Sequence, residues 1–324
     1  MPPYDKPRPA GQRADHIGAG RRAPSRKTLV RGGVAAVLVA GGLFATQTVA
    51  GAAPGSPGVA ETARQATERA IITHPDRDYM GWSARQAAAQ EATVLSAAGI
   101  TVRTSVPTPS RDRGVLAATG QTAGIDVSHW QGNTDWAYWW RNGRRFAYVK
   151  ATEGTTYRDP SFNYQYTGSY NVGMIRGSYH FATPNTSSGA AQANFFVDHG
   201  GGWSRDGRTL PGVLDIEYNP YGATCYGLSK TAMVNWVRDF TRTYKARTGR
   251  DAVIYTSLGW WVACTNNSGA FATTNPLWIP KYSTSPGQLP GGWGFHTIWQ
   301  HTDSPLDQDI FNGALSRLQA LARG

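Results

Sequence analysis

A chain of 324 residues can hold one large domain with appendages, or two ordinary domains. Its net charge of +11 would suit a nucleic-acid binder, but residues 1–31 carry eight Lys/Arg against two Asp/Glu, which is +6 of the +11 and leaves +5 for the rest. No dense basic stripe interleaved with base-stacking aromatics follows, so nucleic acid is excluded as a partner.

A basic stretch ending in Arg26-Lys27 and Arg31 precedes the apolar run Gly32–Ala45 and the small-residue segment Ala50-Gly51-Ala52. This order reads as a secretory signal peptide over residues 1–52, cut after Ala52. The apolar run falls short of the ~20 residues a spanning helix needs, so no membrane anchor is expected to remain after cleavage. Arg21-Arg22 leaves the export route open between the general and twin-arginine pathways. Residues 53–120 are rich in Ala, Arg, Thr and Pro. Helices are expected at Glu61–Ile71 and Ser83–Ala98, neither with a wide apolar face, around a turn-like cluster from His74 to Trp82. With a linker over 101–114, this region reads as a partly disordered prosegment or spacer without a packed fold.

At Thr122 the texture changes. Strands are expected at Thr122–Val127, Arg145–Gly154, Met174–Phe181, Gly212–Tyr218 and Ala252–Ser257. Helices between them fall at Asp135–Asn142, Pro160–Tyr170, Ser187–His199 and from an N-cap at Ser229, where Met233, Val237, Phe240 and Tyr244 recur at helical spacing. Three more strands, Pro276–Tyr282, Gly294–His301 and Leu306–Phe311, follow with little helix, and a Leu315, Leu318 and Leu321 stripe closes the chain. Repeated strand–helix alternation with a helix-poor end gives an α/β barrel of residues 121–324 whose last third is abbreviated. Active sites of such barrels lie at the C-terminal ends of the strands. Asp126 ends the first strand, Glu153 follows the second, Asp215 and Glu217 end the fourth, and Asp307 lies in the last.

In Leu214-Asp215-Ile216-Glu217 the two acids project to the same side of a strand, roughly 6.5–7 Å apart. Two like charges on one face near a strand end suit a cleft in which one carboxyl stays protonated while its neighbour stays charged. An exposed pair, solvated or bound to Arg, is the plainer alternative. Twelve Trp and fifteen Tyr exceed what a core needs, and point to a groove that stacks on sugars or to aromatic packing. Cys225 and Cys264, an even pair in an exported chain, read as one disulfide. Two cysteines so far apart without His spacing do not read as a metal site.

Asp126-Val127 through Gln131-Gly132, then Tyr148-Val149-Lys150-Ala151-Thr152-Glu153-Gly154 and Tyr157, resemble the signature of glycoside hydrolase family 25, the Chalaropsis-type lysozymes. The likeness runs on through Gly177–Phe181, Leu214–Glu217, Ile254–Ser257, Leu277–Tyr282, Trp299-Gln300 and Asp307–Gly313. It implies a (β/α)5(β)3 barrel, a modified TIM-type fold. It also implies a cofactor-independent, secreted, monomeric muramidase that cleaves the β-1,4 bond between N-acetylmuramic acid and N-acetylglucosamine in bacterial peptidoglycan, with net retention. By that resemblance Glu217 is the general acid/base, Asp215 assists at the 2-acetamido group or the oxocarbenium-like centre, and Asp126 and Asp307 complete the acidic floor. Asp309 competes with Asp307 for the last place, and Glu153 is either catalytic or a rim ion pair. Trp130, Tyr179, Phe181, Tyr218, Tyr255, Trp278, Lys281, Tyr282, Trp299 and Gln300 are the expected substrate contacts, with part of the aromatics in the core, and His129 and His180 are expected as hydrogen-bonded groove residues. A peptidoglycan-binding module without turnover and a hydrolase of another aminoglycan such as chitin are the alternatives.

Overall fold

The computed structural model describes residues 79–101 and 120–324; the leader expected over residues 1–52, the helix expected over Glu61–Ile71 and nearly all of the linker expected over 101–114 lie outside the described residues. In chain order, α1 (Trp82–Ala97) precedes β1 (Thr122–Val127), α2 (Trp136–Arg141), β2 (Phe146–Glu153), the two-residue β3 (Tyr157–Arg158), α3 (Phe162–Asn171) and β4 (Ile175–Phe181). There follow α4 (Gly189–Phe196), β5 (Val213–Asp215), α5 (Lys230–Thr248), β6 (Val253–Tyr255), α6 (Leu258–Thr265), β7 (Leu277–Pro280), β8 (Ile298–Thr302), β9 (Gln308–Phe311) and α7 (Leu315–Arg323).

Strands β1, β2, β4, β5, β6, β7 and β8 pair in parallel in that order, and β9 closes the ring by pairing antiparallel with both β8 and β1. Helices follow the first five barrel strands and none separates the last three, so the (β/α)5(β)3 architecture expected from the sequence is present.

The period of two along each strand sorts its side chains. Phe146, Tyr148, Ile175, Tyr179, Val213, Val253, Tyr255, Trp278, Ile298 and Phe311 share the interior cluster, which fills the barrel below its mouth. Room for these rings comes from residues without side chains. A Cβ on Gly177 would lie 2.2 Å from the Tyr148 ring, so the β4 backbone can approach β2 only as glycine. Outside, α5 lays Met233, Val237, Phe240 and Tyr244 on the barrel wall, all fully buried. Ser229 caps it through Ala232 N, and Gly249 ends it in the left-handed region.

Four sequence expectations change. The fourth strand ends at Asp215 rather than Tyr218, and Glu217 follows in extended chain beyond the ladder, although Ile216 N still bonds Tyr255 O at 3.0 Å. Helix α6 follows β6 where no helix was expected, because nearly all its residues are buried and it shows no polar face to give a period. In α7 the buried pair is Leu318 and Ala322, while Leu315 is exposed.

Residues 79–101, expected without a packed fold, lie against the barrel. Their anchors are Met80 and Trp82, in and just after the turn, and Leu95 one end of α1 further on, packed on Leu258 and Val262 of α6. Anchors split between a turn and a helix end leave no continuous apolar face to read. Among the described residues no helix is long and apolar enough to cross a membrane.

Candidate active site

Asp126 is the next-to-last residue of β1. Its neighbours Ile125 and Val127 pack outward on Trp136 and Trp139, which turns the carboxyl inward. Gln300, inward on β8, donates Nε2 to Asp126 Oδ2 at 2.8 Å, and its Oε1 accepts the Tyr255 hydroxyl at 2.8 Å. The Tyr282 hydroxyl reaches the same Oε1 at 3.3 Å and Asp307 Oδ1 at 3.5 Å. Asp309 is paired with Gly124 and Gln300 in the β9 ladders, one inward step below Asp307. Asp307 thus stands at the rim and Asp309 beneath it; both belong to the cluster.

Across the mouth, Asp215 ends β5 beside Phe181 of β4 and Tyr255 of β6. Glu217 keeps the inward phase two residues on, and its Oε1 accepts the Gly81 N–H at 3.0 Å. Glu153 Oε2 accepts from Lys150 Nζ at 2.8 Å, and its Oε1 accepts the Tyr221 hydroxyl at 2.5 Å. Every one of these acids is buried, Glu217 at 2 % exposure and Asp215 at 0 %.

Burial of several carboxyls together opposes ionisation. Asp126 is raised from 3.8 to about 7, chiefly by burial, with Gln300 opposing and the Glu217 charge adding. Asp215 lies well above its ordinary value, first from burial and then from the Glu217 charge, with Lys150 pulling the other way. Burial also lifts Asp307 and Asp309 well up, each with the Asp126 charge as the next cause. Such a cluster holds and shares protons near neutral pH, the property a general acid/base needs.

The profile of Glycosyl hydrolases family 25 matches residues 125–310, which span both ends of this carboxylate ring. The chain belongs to that family. As a member of glycosyl hydrolase family 25 it is a glycoside hydrolase. It is 51 % identical over 214 residues to lysozyme M1 of Streptomyces globisporus, covering 64 % of this chain and 73 % of that one. It is 46 % identical over 235 residues to an N,O-diacetylmuramidase of Arthroderma benhamiae, covering 72 % and 97 %. Among solved structures, a muramidase from Acremonium alcalophilum superposes with a TM-score of 0.62 at 58 % identity, over 63 % of this chain and 99 % of that one. The bacterial lysozyme from Streptomyces coelicolor gives 0.62 at 51 % identity, over 63 % and 98 %.

Within this family 25 barrel, Asp126, Asp215, Glu217, Asp307, Asp309, Gln300, Tyr255 and Tyr282 converge. Trp130 lies at the edge, 38 % exposed, its ring 6.4 Å from that of Tyr79. Phe181 is buried, with Lys150 Nζ over its ring at 5.1 Å, and Tyr179 stands in the interior cluster with Met80. Lys281 binds Glu91 of α1 at 3.2 Å.

Four expected groove residues are elsewhere. Trp299 alternates with Gln300 and so faces outward, packing on Ile279 and Ile310 and donating Nε1 to the Lys281 carbonyl at 2.7 Å. Tyr218, out of phase with Glu217, joins the outer cluster with Trp82 and Trp260. Trp278 lies below the mouth, 5.0 Å from the Tyr148 ring and 5.4 Å from the Tyr255 ring. His180 faces the helices, bound to Thr152 Oγ1 and Gln192 Oε1, and burial lowers it to about 4. His129 remains near the rim, with Nδ1 between Asp159 Oδ2 at 3.0 Å and the Tyr157 hydroxyl at 3.1 Å.

The structure adds Lys150 and Tyr221 to the site and brings the Met80-Gly81 turn against it. A lone Lys on the inward phase of an apolar strand was a readable signal for the first. The other two sit on loops, where no period speaks.

The cysteines form the expected disulfide, 39 residues apart, tying the loop after Glu217 to α6.

Proposed function

We propose that this chain is a lysozyme that hydrolyses the β-1,4 bond between N-acetylmuramic acid and N-acetylglucosamine in peptidoglycan, with Glu217 as general acid/base. The observation that carries this reading is the convergence of Glu217 and Asp215 with Asp126 at the barrel mouth, in a chain whose family relatives bear the names lysozyme and muramidase. Glu217 gives its proton to the glycosidic oxygen as the C1–O bond breaks. The oxygen of the muramic 2-acetamido group closes on C1 from the opposite face, while Asp215 accepts the acetamido N–H and balances the charge that forms. Water then attacks C1, returns its proton to Glu217 and reopens the ring, so two displacements give net retention. Asp126, held by Gln300, and Asp307 at the rim complete the polar floor that substrate meets.

The leader over residues 1–52 carries the protein out of the cell as a monomer, and the +5 remaining afterwards favours approach to an anionic wall polymer.

The test is digestion of purified peptidoglycan by residues 120–324 and by their Glu217→Gln variant, with reduction of the products and mass spectrometry of the new ends. Reduced muramic acid ends from the parent, lost by roughly 10²–10⁴-fold in the variant, are expected. Glucosamine ends would move the cleaved bond, and binding without cleavage would make the barrel a wall-binding module.

A further inference from the structure

A polysaccharide hydrolase must open its acids to a polymer, yet Glu217 is 2 % exposed and Asp215, Asp126 and Asp309 are at least as deeply enclosed. What encloses Glu217 is a turn from outside the barrel. The Gly81 N–H sits on Glu217 Oε1 at 3.0 Å, directly on the carboxyl proposed as general acid/base. Its carbonyl accepts from the Tyr282 hydroxyl at 3.4 Å. Met80 is fully buried in the interior cluster with Tyr179, Tyr255 and Trp278. Tyr79 meets Trp130, and Trp82 enters the cluster of Phe181 and Tyr218.

We infer that residues 79–97 are a built-in inhibitor of this site: the turn Tyr79-Met80-Gly81 fills the bond-cleaving position and α1 holds it there. This rests on the muramidase reading for the activity it suppresses, but the occupancy itself is a matter of contacts. The fit is close. A Cβ on Gly81 would lie 2.6 Å from Gln300 Oε1 and 2.8 Å from the Tyr282 hydroxyl, and its φ of 85° lies in the left-handed region, so only glycine passes between those groups. Helix α1 adds a second, separate hold, with Glu91 bound to Lys281 at 3.2 Å and Leu95 seated on Leu258 and Val262. A cleft of about 350 Å³ beside the turn has Tyr79 as one wall with Trp130, Gln131 and Asp307, so the turn cuts the groove short there.

Residue 101 and residue 120 belong to one chain, which makes the inhibitor intramolecular, at an effective concentration on the order of millimolar. A solved muramidase is matched over 99 % of its length by 63 % of this chain, so a barrel of this family folds without a counterpart to the remaining third.

The experiment compares residues 53–324, the same chain with Gly81→Val or with Met80→Asp, and residues 120–324. Two readouts are taken: initial rate on soluble peptidoglycan fragments, and modification of Glu217 by a carbodiimide with an amine nucleophile, followed by peptide mass spectrometry. The parent is expected to turn over at least tenfold more slowly than the barrel alone and to protect Glu217 from modification. Both substitutions lie outside the barrel, and both are expected to recover most of the rate and the labelling. Equal rates and equal labelling in parent and barrel overturn the proposal. A barrel that labels readily but cleaves nothing, beside a protected parent, upholds the occupancy and removes the muramidase reading instead.

Discussion

Gln300 ties Asp126 to Tyr255. Its amide nitrogen donates to the carboxylate at 2.8 Å while its oxygen accepts the tyrosine hydroxyl at 2.8 Å, so one side chain fixes both an acid and a phenol. A hydrogen bond to a charged group is worth about 1.5–3 kcal/mol, which in rate is roughly a factor of ten to a hundred and fifty. Gln300→Met in residues 120–324 is therefore expected to lower kcat by that range with KM changed less. It should also shift the pH–rate profile upward, because the donor that favours ionised Asp126 is gone. An unchanged profile in steady-state kinetics would remove Gln300 from the site's electrostatics.

Asp126 contributes to stability with an unusual sign. Its folded value of about 7 lies above the ordinary 3.8, so between those values the folded state binds the proton that the unfolded state has lost. Stability from this group is full below pH 3.8 and falls as pH rises toward 7. His180, lowered to about 4, acts oppositely between 4 and 6.5, but it does so equally in parent and variant and cancels in their difference; Asp215, Asp307 and Asp309, each raised in part by the Asp126 charge, are relieved of it in the variant and add to its gain at the higher pH. Asp126→Asn, which cannot ionise and still accepts from Gln300, is expected to gain on the parent by on the order of 3–4 kcal/mol between pH 4 and pH 7. Urea unfolding at the two pH values measures it, and a difference independent of pH would contradict the raised value.

Alternation along strands made much of this site readable, and the same rule shows where the reading failed. Asp126 and Asp215 face inward because the flanking Ile125, Val127, Leu214 and Ile216 pack on the outer side, and Gln300 because Ile298, two residues back on the same phase, lies in the interior cluster. The rule also requires that Trp299 cannot share a face with Gln300, nor Tyr218 with Glu217; choosing residues by aromatic character alone set the phase aside. Helix α6 escaped notice because α1 covers the face that would otherwise be polar, and burial on all sides erases periodicity. The Met80-Gly81 turn was invisible for a related reason. Its importance lies in a gap of the right size 136 residues further along the chain, which no local pattern encodes.

Lys150 and Glu153 form an ion pair that is fully buried on one side and 1 % exposed on the other, at 2.8 Å. Removing one partner of such a pair strands a charge, at about 3–5 kcal/mol, whereas replacing both is often close to neutral. Lys150→Met alone is expected to lower the stability of the barrel by that amount. It would also raise Asp215 further, since Lys150 is the group that opposes its shift. Lys150→Met with Glu153→Gln is expected to recover most of the loss, and a double-mutant cycle in urea reads the coupling. If the double variant is no more stable than Lys150→Met, the pair is not the reason Lys150 is there.

The disulfide joins Cys225, in the loop after Glu217, to Cys264 on α6, 39 residues on. Closing a loop of that length removes unfolded-chain entropy equivalent to about 4 kcal/mol at 25 °C, an upper figure beside the 2–4 kcal/mol usually measured. The same loop carries Tyr221, whose hydroxyl holds Glu153, and Tyr226, buried among Trp236 and Trp260. Those contacts are made in the folded state with or without the bond, so Cys225→Ala with Cys264→Ala is expected to keep the turnover of residues 120–324 within about threefold at 25 °C. Thermal unfolding should move down by several degrees, as roughly 2–4 kcal/mol does in a domain of this size. A variant that loses turnover at 25 °C while still folded would show that the bond sets the position of the loop beside Glu217, rather than restricting the unfolded chain.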